Sequence, residues 1–340
     1  MKLFASDNFS GVHPKIMRAL ESVNEGHVMA YGGDDTTKKA KEAFKKLFGK
    51  DIDVYFVYSG TGANILALRT ILQPFEAVIA PRTAHININE CGSIEALSGA
   101  KIITVNGKNG KLTPKDLECV MEGVGSEHFS QPKVISITQC TEMGTLYSVD
   151  EIRALCEFAH NHDMYVHIDG ARISNAIAAL DSSVKEMLTD TGVDVISFGG
   201  TKNGMMFGEA VVFLNKKLAK NAMYFRKQSG QLASKLRYIS AQFLALLEDN
   251  LWLESAHNAN QMTKLLYKQV KALSGVKITA PVETNMIFAQ INPKIIPKLQ
   301  GKSFFWVEDE QNNEVRWVTS WDTTKEDVDA FVKLLRSELG

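Results

Sequence analysis

Short apolar segments rich in valine and isoleucine alternate with helix-like segments between residues 50 and 215. The apolar segments cover residues 54–59, 77–81, 101–106, 133–139, 164–169, 194–200 and 209–214. Strands that alternate with helices are typical of an α/β fold, and strands that are apolar throughout indicate a sheet covered on both faces. The pattern therefore predicts a large α/β domain around a mostly parallel sheet.

One connecting segment has the pattern of an amphipathic helix. It begins after Ser148, and Glu151 three residues later completes the pattern of a capping box. Helical spacing places one set of residues on a single apolar face, namely Ile152, Leu155, Cys156 and Ala159. We expect this face to be buried.

The pattern becomes helical from about residue 216 to 271 and then returns to strands. Predicted strands cover 277–291, 302–309 and 314–321, and an amphipathic helix covers 325–339. This order predicts a small C-terminal α+β domain. No linker rich in proline, glycine or serine separates the two parts. We therefore place the large domain at 1–250, with an N-terminal arm over about 1–15, and the small domain at 251–340.

The composition is that of an ordinary globular protein. The 340 residues include 45% hydrophobic and 23% charged residues, and the formal net charge is -1. This balance excludes a disordered chain and argues against electrostatic binding of nucleic acid. No apolar run approaches the roughly 20 residues that cross a bilayer, and the N-terminal residues do not form a secretion signal. The four cysteines are widely spaced, which suits a reducing compartment better than a zinc site. We expect a cytoplasmic enzyme without metal, nucleic acid or membrane partners.

Ligands of open α/β sheets bind beyond the carboxyl ends of the strands. After the first predicted strand, Ser59, Gly60, Thr61 and Gly62 lead into a helix. Backbone N–H groups at such a turn, together with the helix dipole, can bind a phosphate. Glycine-rich turns also occur for geometric reasons alone, and this one lacks the lysine of a Walker loop.

Two further strand ends carry ionisable side chains. Asp169 ends an apolar strand, where a carboxylate is costly to bury without a cation or a strong donor, and Arg172 follows closely. The alternative is that Asp169 only caps the next helix. Lys202 follows another strand through Gly199 and Gly200, from which it could reach a buried ligand or extend into solvent.

Together these strand ends match the requirements of pyridoxal 5'-phosphate. The phosphate of this cofactor needs N–H donors, and its pyridine nitrogen needs a carboxylate that keeps it protonated. Its aldehyde needs a lysine for a Schiff base. The turn at Gly60, the buried Asp169 and Lys202 could meet these needs in that order.

The segments HIDGAR and SFGGTKNG resemble the enzymes of the aspartate aminotransferase type (fold type I), and specifically the L-threonine aldolases. The resemblance extends over nearly the whole chain, through FASDNFSG, AYGGDD, SGTGAN, AHININECG, EHFSQPKV, GQLASKLR and VRWVTSWDT. It implies a pyridoxal phosphate enzyme with a seven-stranded, mostly parallel sheet and a small C-terminal domain. Within the L-threonine aldolases, the chain looks most like the bacterial low-specificity enzymes. This resemblance implies cleavage of L-threonine, L-allo-threonine and phenylserine-like substrates to glycine and an aldehyde.

The resemblance also implies roles for single residues at the cofactor. Lys202 resembles the lysine that holds the cofactor covalently, and Asp169 resembles the partner of the pyridine nitrogen. Arg172 is similar to the arginine beside the phenolic oxygen and the substrate carboxylate. Three more positions resemble those that bind the phosphate or stack on the ring, namely Gly60, Thr61 and His85.

For the substrate, Ser6 and Arg316 resemble further carboxylate-binding positions, and Tyr31 belongs to the same site by resemblance. His128 matches a histidine near the substrate hydroxyl. It is therefore our first hypothesis for the base that removes the hydroxyl proton, with His85 second and an ordered water third.

Sites of fold type I are commonly completed across a dimer, so the resemblance implies a homodimer or homotetramer. Lys227 and Lys235 are then expected to reach a neighbour's phosphate. Gly62 and the segment AYGGDDTT depart from the family pattern and affect the expected side-chain pocket. An aminotransferase or a β-eliminating lyase of the same fold could use the same Asp169 and Lys202, and a non-catalytic scaffold is a third alternative.

Overall fold

Residues 2–340, the part of the chain that the computed structural model describes, form two β-sheets with surrounding helices. The large sheet contains β1 (Asp53–Val57), β2 (Glu76–Pro81), β3 (Lys101–Val105), β4 (Gln131–Thr138), β5 (Tyr165–Gly170), β6 (Val195–Gly199) and β7 (Glu209–Phe213). Its order is β1-β7-β6-β5-β4-β2-β3, and only β7 runs antiparallel to its neighbours. The predicted α/β fold with a mostly parallel seven-stranded sheet is confirmed.

Helices cover both faces of this sheet. Along β6, Ile196 and Phe198 enter one apolar core and Val195 enters another. Successive side chains of a strand point to opposite faces, so the two cores lie on opposite sides of the sheet. The helices that precede or surround the sheet are α1 (Pro14–Ser22), α2 (Asp35–Phe48), α3 (Gly60–Ile71), α4 (His85–Ile88), α5 (Ser93–Ser98), α6 (Pro114–Leu117), α7 (Val149–Asn161), α8 (Ile173–Leu180), α9 (Ala222–Gln228) and α10 (Arg237–Leu247).

The amphipathic helix predicted from the sequence is α7. Ser148 and Glu151 form the predicted capping box, with the Ser148 hydroxyl accepting from the Glu151 N–H at 3.2 Å. Its predicted apolar face, Ile152, Leu155, Cys156 and Ala159, is buried. Among the helices within residues 2–340, none is long and apolar enough to span a membrane.

The small sheet is antiparallel and packs with the C-terminal helices. It contains β8 (Val276–Ile278), β9 (Met286–Ile291), β10 (Trp306–Asp309) and β11 (Glu314–Val318) in the order β10-β11-β9-β8. The helices are α11 (Leu251–Val270), α12 (Ile296–Gln300) and α13 (Lys325–Leu339). The single strand predicted over 277–291 was wrong, because the chain folds back between β8 and β9. There, the Thr284 hydroxyl donates to the Gly144 carbonyl at 2.9 Å.

Helix α11 connects the two parts of the molecule. Leu251 and Trp252 at its start pack in a core of the large sheet, whereas Leu266 and Val270 near its end pack in the small core. The N-terminal arm also reaches the small core, because Phe4 is fully buried there and its carbonyl accepts from the Val318 N–H at 2.8 Å. The arm is thus held between the two sheets, close to the carboxyl edge of the large one.

Candidate active site

A cavity lies beyond the carboxyl ends of β1, β4, β5 and β6 and extends to the small sheet. Its sheet-side compartment has a volume of about 370 Å³, and its small-domain compartment has a volume of about 680 Å³. The residues that line both compartments are Asn8, His85, Glu142, Arg172 and Lys202. The strand ends that the sequence singled out therefore meet in one place.

The turn after β1 places the N-terminus of α3 at the sheet-side compartment. Ser59 caps the helix by accepting a hydrogen bond from the Gly62 N–H at 3.1 Å. The first N–H groups of a helix have no partner within it and carry the positive end of its dipole. Gly60 and Thr61 line the cavity at this point, and a Cβ on Gly60 would meet no atom within 4 Å. The turn can accept an anionic group.

The glycine at position 62 has a local reason. A Cβ at this position would lie 2.3 Å from the side chain of Gln231. That amide is held against the turn because its Oε1 accepts from the Tyr58 N–H at 3.0 Å. Gly62 therefore makes room for Gln231, which supports the anion-binding turn.

Asp169 ends β5 and is only 6% exposed. Its Oδ1 accepts from the Ala171 N–H at 3.0 Å, and its Oδ2 accepts from the Asn64 amide at 2.8 Å. The next helix, α8, is capped at Arg172 without a side-chain bond, so Asp169 is not its N-cap. A buried carboxylate oriented by neutral donors and facing a cavity is suited to a cationic ligand atom, such as a protonated ring nitrogen.

His85 is oriented by a chain of buried polar groups that leads back to Asp169. The His85 Nδ1 lies 2.8 Å from Oε1 of Glu90, and the same oxygen accepts from the Asn64 amide at 2.8 Å. The ligand atoms of His85, Glu90 and Asp169 lie within 4.8 Å of one another, a spacing that could hold a cation. The Asn64 amide already donates to the carboxylates of Glu90 and Asp169, and Nδ1 of His85 already contacts Glu90. That the protein binds no metal remains a prediction.

Lys202 lies on the 3-10 turn Thr201–Asn203 directly after β6. A Cβ on Gly199 would lie 2.3 Å from the Ala171 carbonyl, so glycine allows this turn to approach the end of β5. Burial lowers the pKa of Lys202, and the positive charge of Arg172 lowers it further. Lys202 also lines both compartments, which contradicts the alternative of a solvated loop lysine. A lysine of this kind is suited to act as a nucleophile.

Arg172 forms a buried ion pair that the sequence reasoning did not predict. Its Nε and Nη2 donate to the two carboxylate oxygens of Asp7 at 2.7 and 2.9 Å. Burial raises the pKa of Asp7, but the charges of Arg172 and Lys202 outweigh it and hold the pKa below its usual value. A bidentate pair fixes the guanidinium plane, so Asp7 positions Arg172 for a ligand in the cavity.

Ser6 and Arg316 line the small-domain compartment. Arg316 extends from β11 and its Nη1 lies 3.2 Å from Oε1 of Glu308 on β10. Its buried Nε has no hydrogen-bond partner among the described residues. Ser6, Arg172 and Arg316 thus face a shared space, as expected for residues that bind one carboxylate.

Four predicted residues line neither compartment within one chain, namely His128, Tyr31, Lys227 and Lys235. His128 lies on an exposed turn, which Gln131 holds by donating to the carbonyls of Ser126 and Phe129 at 3.0 and 2.8 Å. Tyr31 is 53% exposed, and the Nζ of Lys227 lies 5.3 Å from the centre of its ring. Lys235 is exposed as well. The roles of these residues remain predictions.

The sequence reasoning missed five residues of the site. Asn64, Glu90 and Glu142 line the cavity, and Asp7 and Gln231 support residues that line it. All of them except Glu142 lay in segments already quoted for the resemblance, with Asp7 beside Ser6 and Glu90 shortly after His85. A charged residue next to an expected ligand-binding residue was the available signal.

The fold and the cavity define an α/β protein of the aspartate aminotransferase type, with a lysine, an aspartate and a helix N-terminus at one site. An aspartate aminotransferase from Thermus thermophilus has the same fold, with a TM-score of 0.73, 14% identity and coverage of 99% of this chain and 91% of that chain. At this identity the similarity shows the fold alone.

Closer relatives show the family. Residues 4–293 match the family described as Beta-eliminating lyase. The low specificity L-threonine aldolase of Pseudomonas sp. is 42% identical over 94% of this chain and 93% of its own length. That of Pseudomonas aeruginosa is 39% identical over 99% and 98%. The structure of Leishmania major threonine aldolase has a TM-score of 0.94 and 32% identity over the full length of both chains. The chain belongs to the Beta-eliminating lyase family and to its threonine aldolases, and it is a lyase.

Proposed function

We propose that the protein is a pyridoxal 5'-phosphate-dependent aldolase that cleaves L-threonine and L-allo-threonine to glycine and acetaldehyde. The observation that carries this proposal is the convergence of Lys202, Asp169 and the N-terminus of α3 on one cavity. The low specificity L-threonine aldolases of the two Pseudomonas species support the substrate class.

The residues of the sheet-side compartment fit the cofactor. The N–H groups at Gly60 and Thr61 would bind the phosphate, and Asp169 would keep a proton on the pyridine nitrogen. The unpartnered Oδ1 of Asn64 offers a further acceptor beside Asp169. Lys202 would hold the cofactor covalently, and His85, fixed by Glu90, would contact the ring. When bound, the cofactor supplies an electron sink for the negative charge that develops at Cα of the substrate.

The protein itself selects the bond that breaks. Ser6, Arg172 and Arg316 line one compartment and would bind the substrate carboxylate, which would fix the rotation about the bond between the amino nitrogen and Cα. Only a bond held perpendicular to the conjugated system can break into it, so this clamp favours cleavage of Cα–Cβ. The small-domain compartment includes Ile88, Phe288 and Trp306 and offers apolar space for a phenyl group. We infer that phenylserine-like substrates also bind.

We also infer that the site is completed by a second subunit. Tyr31 and Lys227 contact each other outside the cavity, and α9 exposes Met223 and Tyr224 just before Lys227. Exposed apolar residues that lie beside a cation suit an interface with another copy of the chain. A homodimer, or a tetramer of two such dimers, would bring Lys227 to the phosphate and Tyr31 to the substrate of the neighbour. The four free thiols support a location in the reducing cytoplasm.

Subunit mixing tests the shared site. We expect Lys202→Ala and Lys227→Ala to be nearly inactive alone, and co-expression of the two to restore about one quarter of wild-type activity. Half of randomly formed dimers are hybrids, and each hybrid has one intact site of two. Activity is measured on the co-expressed mixture, and hybrids purified from it through two different tags should have about one half of wild-type activity. Full activity of Lys227→Ala alone, or hybrids without activity, would contradict a shared site.

The reaction is tested by a product assay on the purified, cofactor-loaded protein. With L-allo-threonine or L-threonine we expect glycine and acetaldehyde in equal amounts, and no product from protein stripped of the cofactor. A β-eliminating lyase would release ammonia and a keto acid, and an aminotransferase would form a keto acid only. A keto acid without glycine would therefore refute the aldolase proposal and leave the cofactor site in place.

A further inference from the structure

Aldol cleavage requires a group that accepts the proton of the substrate's β-hydroxyl. Of the two histidines predicted for this step, His128 lies on an exposed turn and lines neither compartment. His85 lines both compartments, but its Nδ1 is engaged by Glu90 at 2.8 Å and its ring is the one that we assign to contact with the cofactor. If the proposed aldolase function holds, a further group of the cavity can take the proton.

Glu142 is a buried carboxylate with one engaged and one free oxygen. Its Oε1 accepts from the Thr138 hydroxyl at 2.7 Å and from the backbone N–H of His85 at 2.8 Å. Its Oε2 is buried and has no hydrogen-bond partner among residues 2–340. Buried polar atoms are almost always hydrogen-bonded, so an unpartnered one beside a cavity points to a ligand. The two donors fix the carboxylate, and the free oxygen is left for that ligand.

The position of Glu142 distinguishes it from the other acids of the site. It lines both compartments, where the space beside Lys202 meets the space beside Arg316. Glu209 lines only the sheet-side compartment, and its Oε2 accepts from the Gly200 N–H at 2.7 Å. Glu90 is engaged by Asn64 and His85. Among the described acids of the cavity, Glu142 combines a free oxygen with a place at the junction.

We propose that Glu142 is the catalytic base that accepts the β-hydroxyl proton. As the O–H bond breaks, its electron pair forms the second C–O bond of the aldehyde, and the electron pair of the broken Cα–Cβ bond stays with Cα. The proton passes to Oε2 of Glu142. A proton added at Cα then completes glycine, and Glu142 returns its proton to solvent, so each turnover leaves the enzyme unchanged.

The surroundings of Glu142 make it a stronger base than an exposed glutamate. Burial raises the pKa of Glu142, the hydrogen bond from Thr138 lowers it, and the charge of Asp169 raises it. The charged and titratable groups around it are His85, Cys140, Tyr147, Asp169, Arg172 and Lys202. The base must be ionised to act, so kcat is expected to fall as the pH is lowered through this raised pKa.

The first test is Glu142→Gln in the cofactor-loaded enzyme. Glutamine keeps an oxygen that can accept from Thr138 and His85, but its amide cannot take up a proton. We expect kcat for L-threonine to fall roughly 10²-fold or more, with loss of the acid limb of the pH profile. Cofactor absorption and the exchange of a glycine Cα proton in D₂O, which involves no hydroxyl group, should be preserved. Wild-type kcat with the same acid limb would overturn the assignment, and so would loss of that limb in His128→Asn instead.

A second variant decides the matter even if Glu142→Gln does not retain the cofactor. Thr138→Val removes the hydrogen bond that lowers the pKa of Glu142, so the acid limb of kcat should move to higher pH. An unmoved limb would overturn the proposal. Failure of this proposal can be distinguished from failure of the proposed function. If the wild-type enzyme forms no glycine and aldehyde, the aldolase function is wrong, whereas an active wild type with an unchanged Glu142→Gln variant contradicts only the role of Glu142.

Discussion

Lys202→Ala is expected to lower aldol cleavage by about 10⁴- to 10⁶-fold, the range seen when an enzyme loses a residue of its covalent catalytic machinery. The variant should also lose the visible absorption of the covalently held cofactor. After borohydride reduction, the wild-type protein should carry the cofactor mass on the peptide that contains Lys202. The variant should carry none.

The physical reason lies in the surroundings of this amine. Burial lowers the pKa of Lys202, Arg172 lowers it further, and Asp7 and Asp169 only partly oppose these effects. More of the amine is therefore neutral and nucleophilic than at an exposed lysine. An exposed lysine after the neighbouring strand β7 provides a matched control, and Lys217→Ala should retain wild-type activity. Covalent attachment that persists in Lys202→Ala would show that another lysine holds the cofactor.

The sequence was sufficient to predict the residues at the strand ends. Parallel strands end at one edge of a sheet, so Asp169 near the end of β5 and Lys202 after β6 had to lie close together once the strands were recognised. The helical pattern of α7 was equally clear, because its capping box and its apolar face depend on neighbours in the sequence. Local patterns with regular periods are the part of a fold that a sequence shows directly.

Contacts between distant segments could not be predicted in this way. Asp7 pairs with Arg172, which lies 165 residues later in the sequence, and Gln231 supports the turn at Gly62. Each of these contacts depends on how the N-terminal arm and the later helices pack, and no periodic pattern in the sequence predicts that packing. The same is true of Glu142, whose importance comes from an oxygen left without a partner. The chain reversal between β8 and β9 was missed because apolar and polar residues continue to mix across it.

Asp169→Asn is expected to lower kcat by roughly 10²- to 10⁴-fold while the protein stays folded. Asparagine keeps the size of the side chain and can still accept one hydrogen bond, but it has no charge to keep a proton on the pyridine nitrogen. Breaking a buried pair of opposite charges costs about 3–5 kcal/mol. Each 1.36 kcal/mol lost from the transition state is a tenfold loss of rate. The measurement is kcat at saturating cofactor, with circular dichroism to check the fold.

Asp194→Asn is the matched control, because Asp194 is also a buried aspartate but lies at the opposite edge of the sheet, before β6. Its Oδ2 accepts from the Val166 N–H at 2.9 Å and its Oδ1 from the Asn215 amide at 2.9 Å. It does not line the cavity, so its substitution should lower the free energy of unfolding and leave kcat within a few-fold of wild type. A similar kcat loss in both variants would mean that Asp169 acts through the stability of the sheet. A loss confined to Asp169→Asn would assign its charge to the reaction.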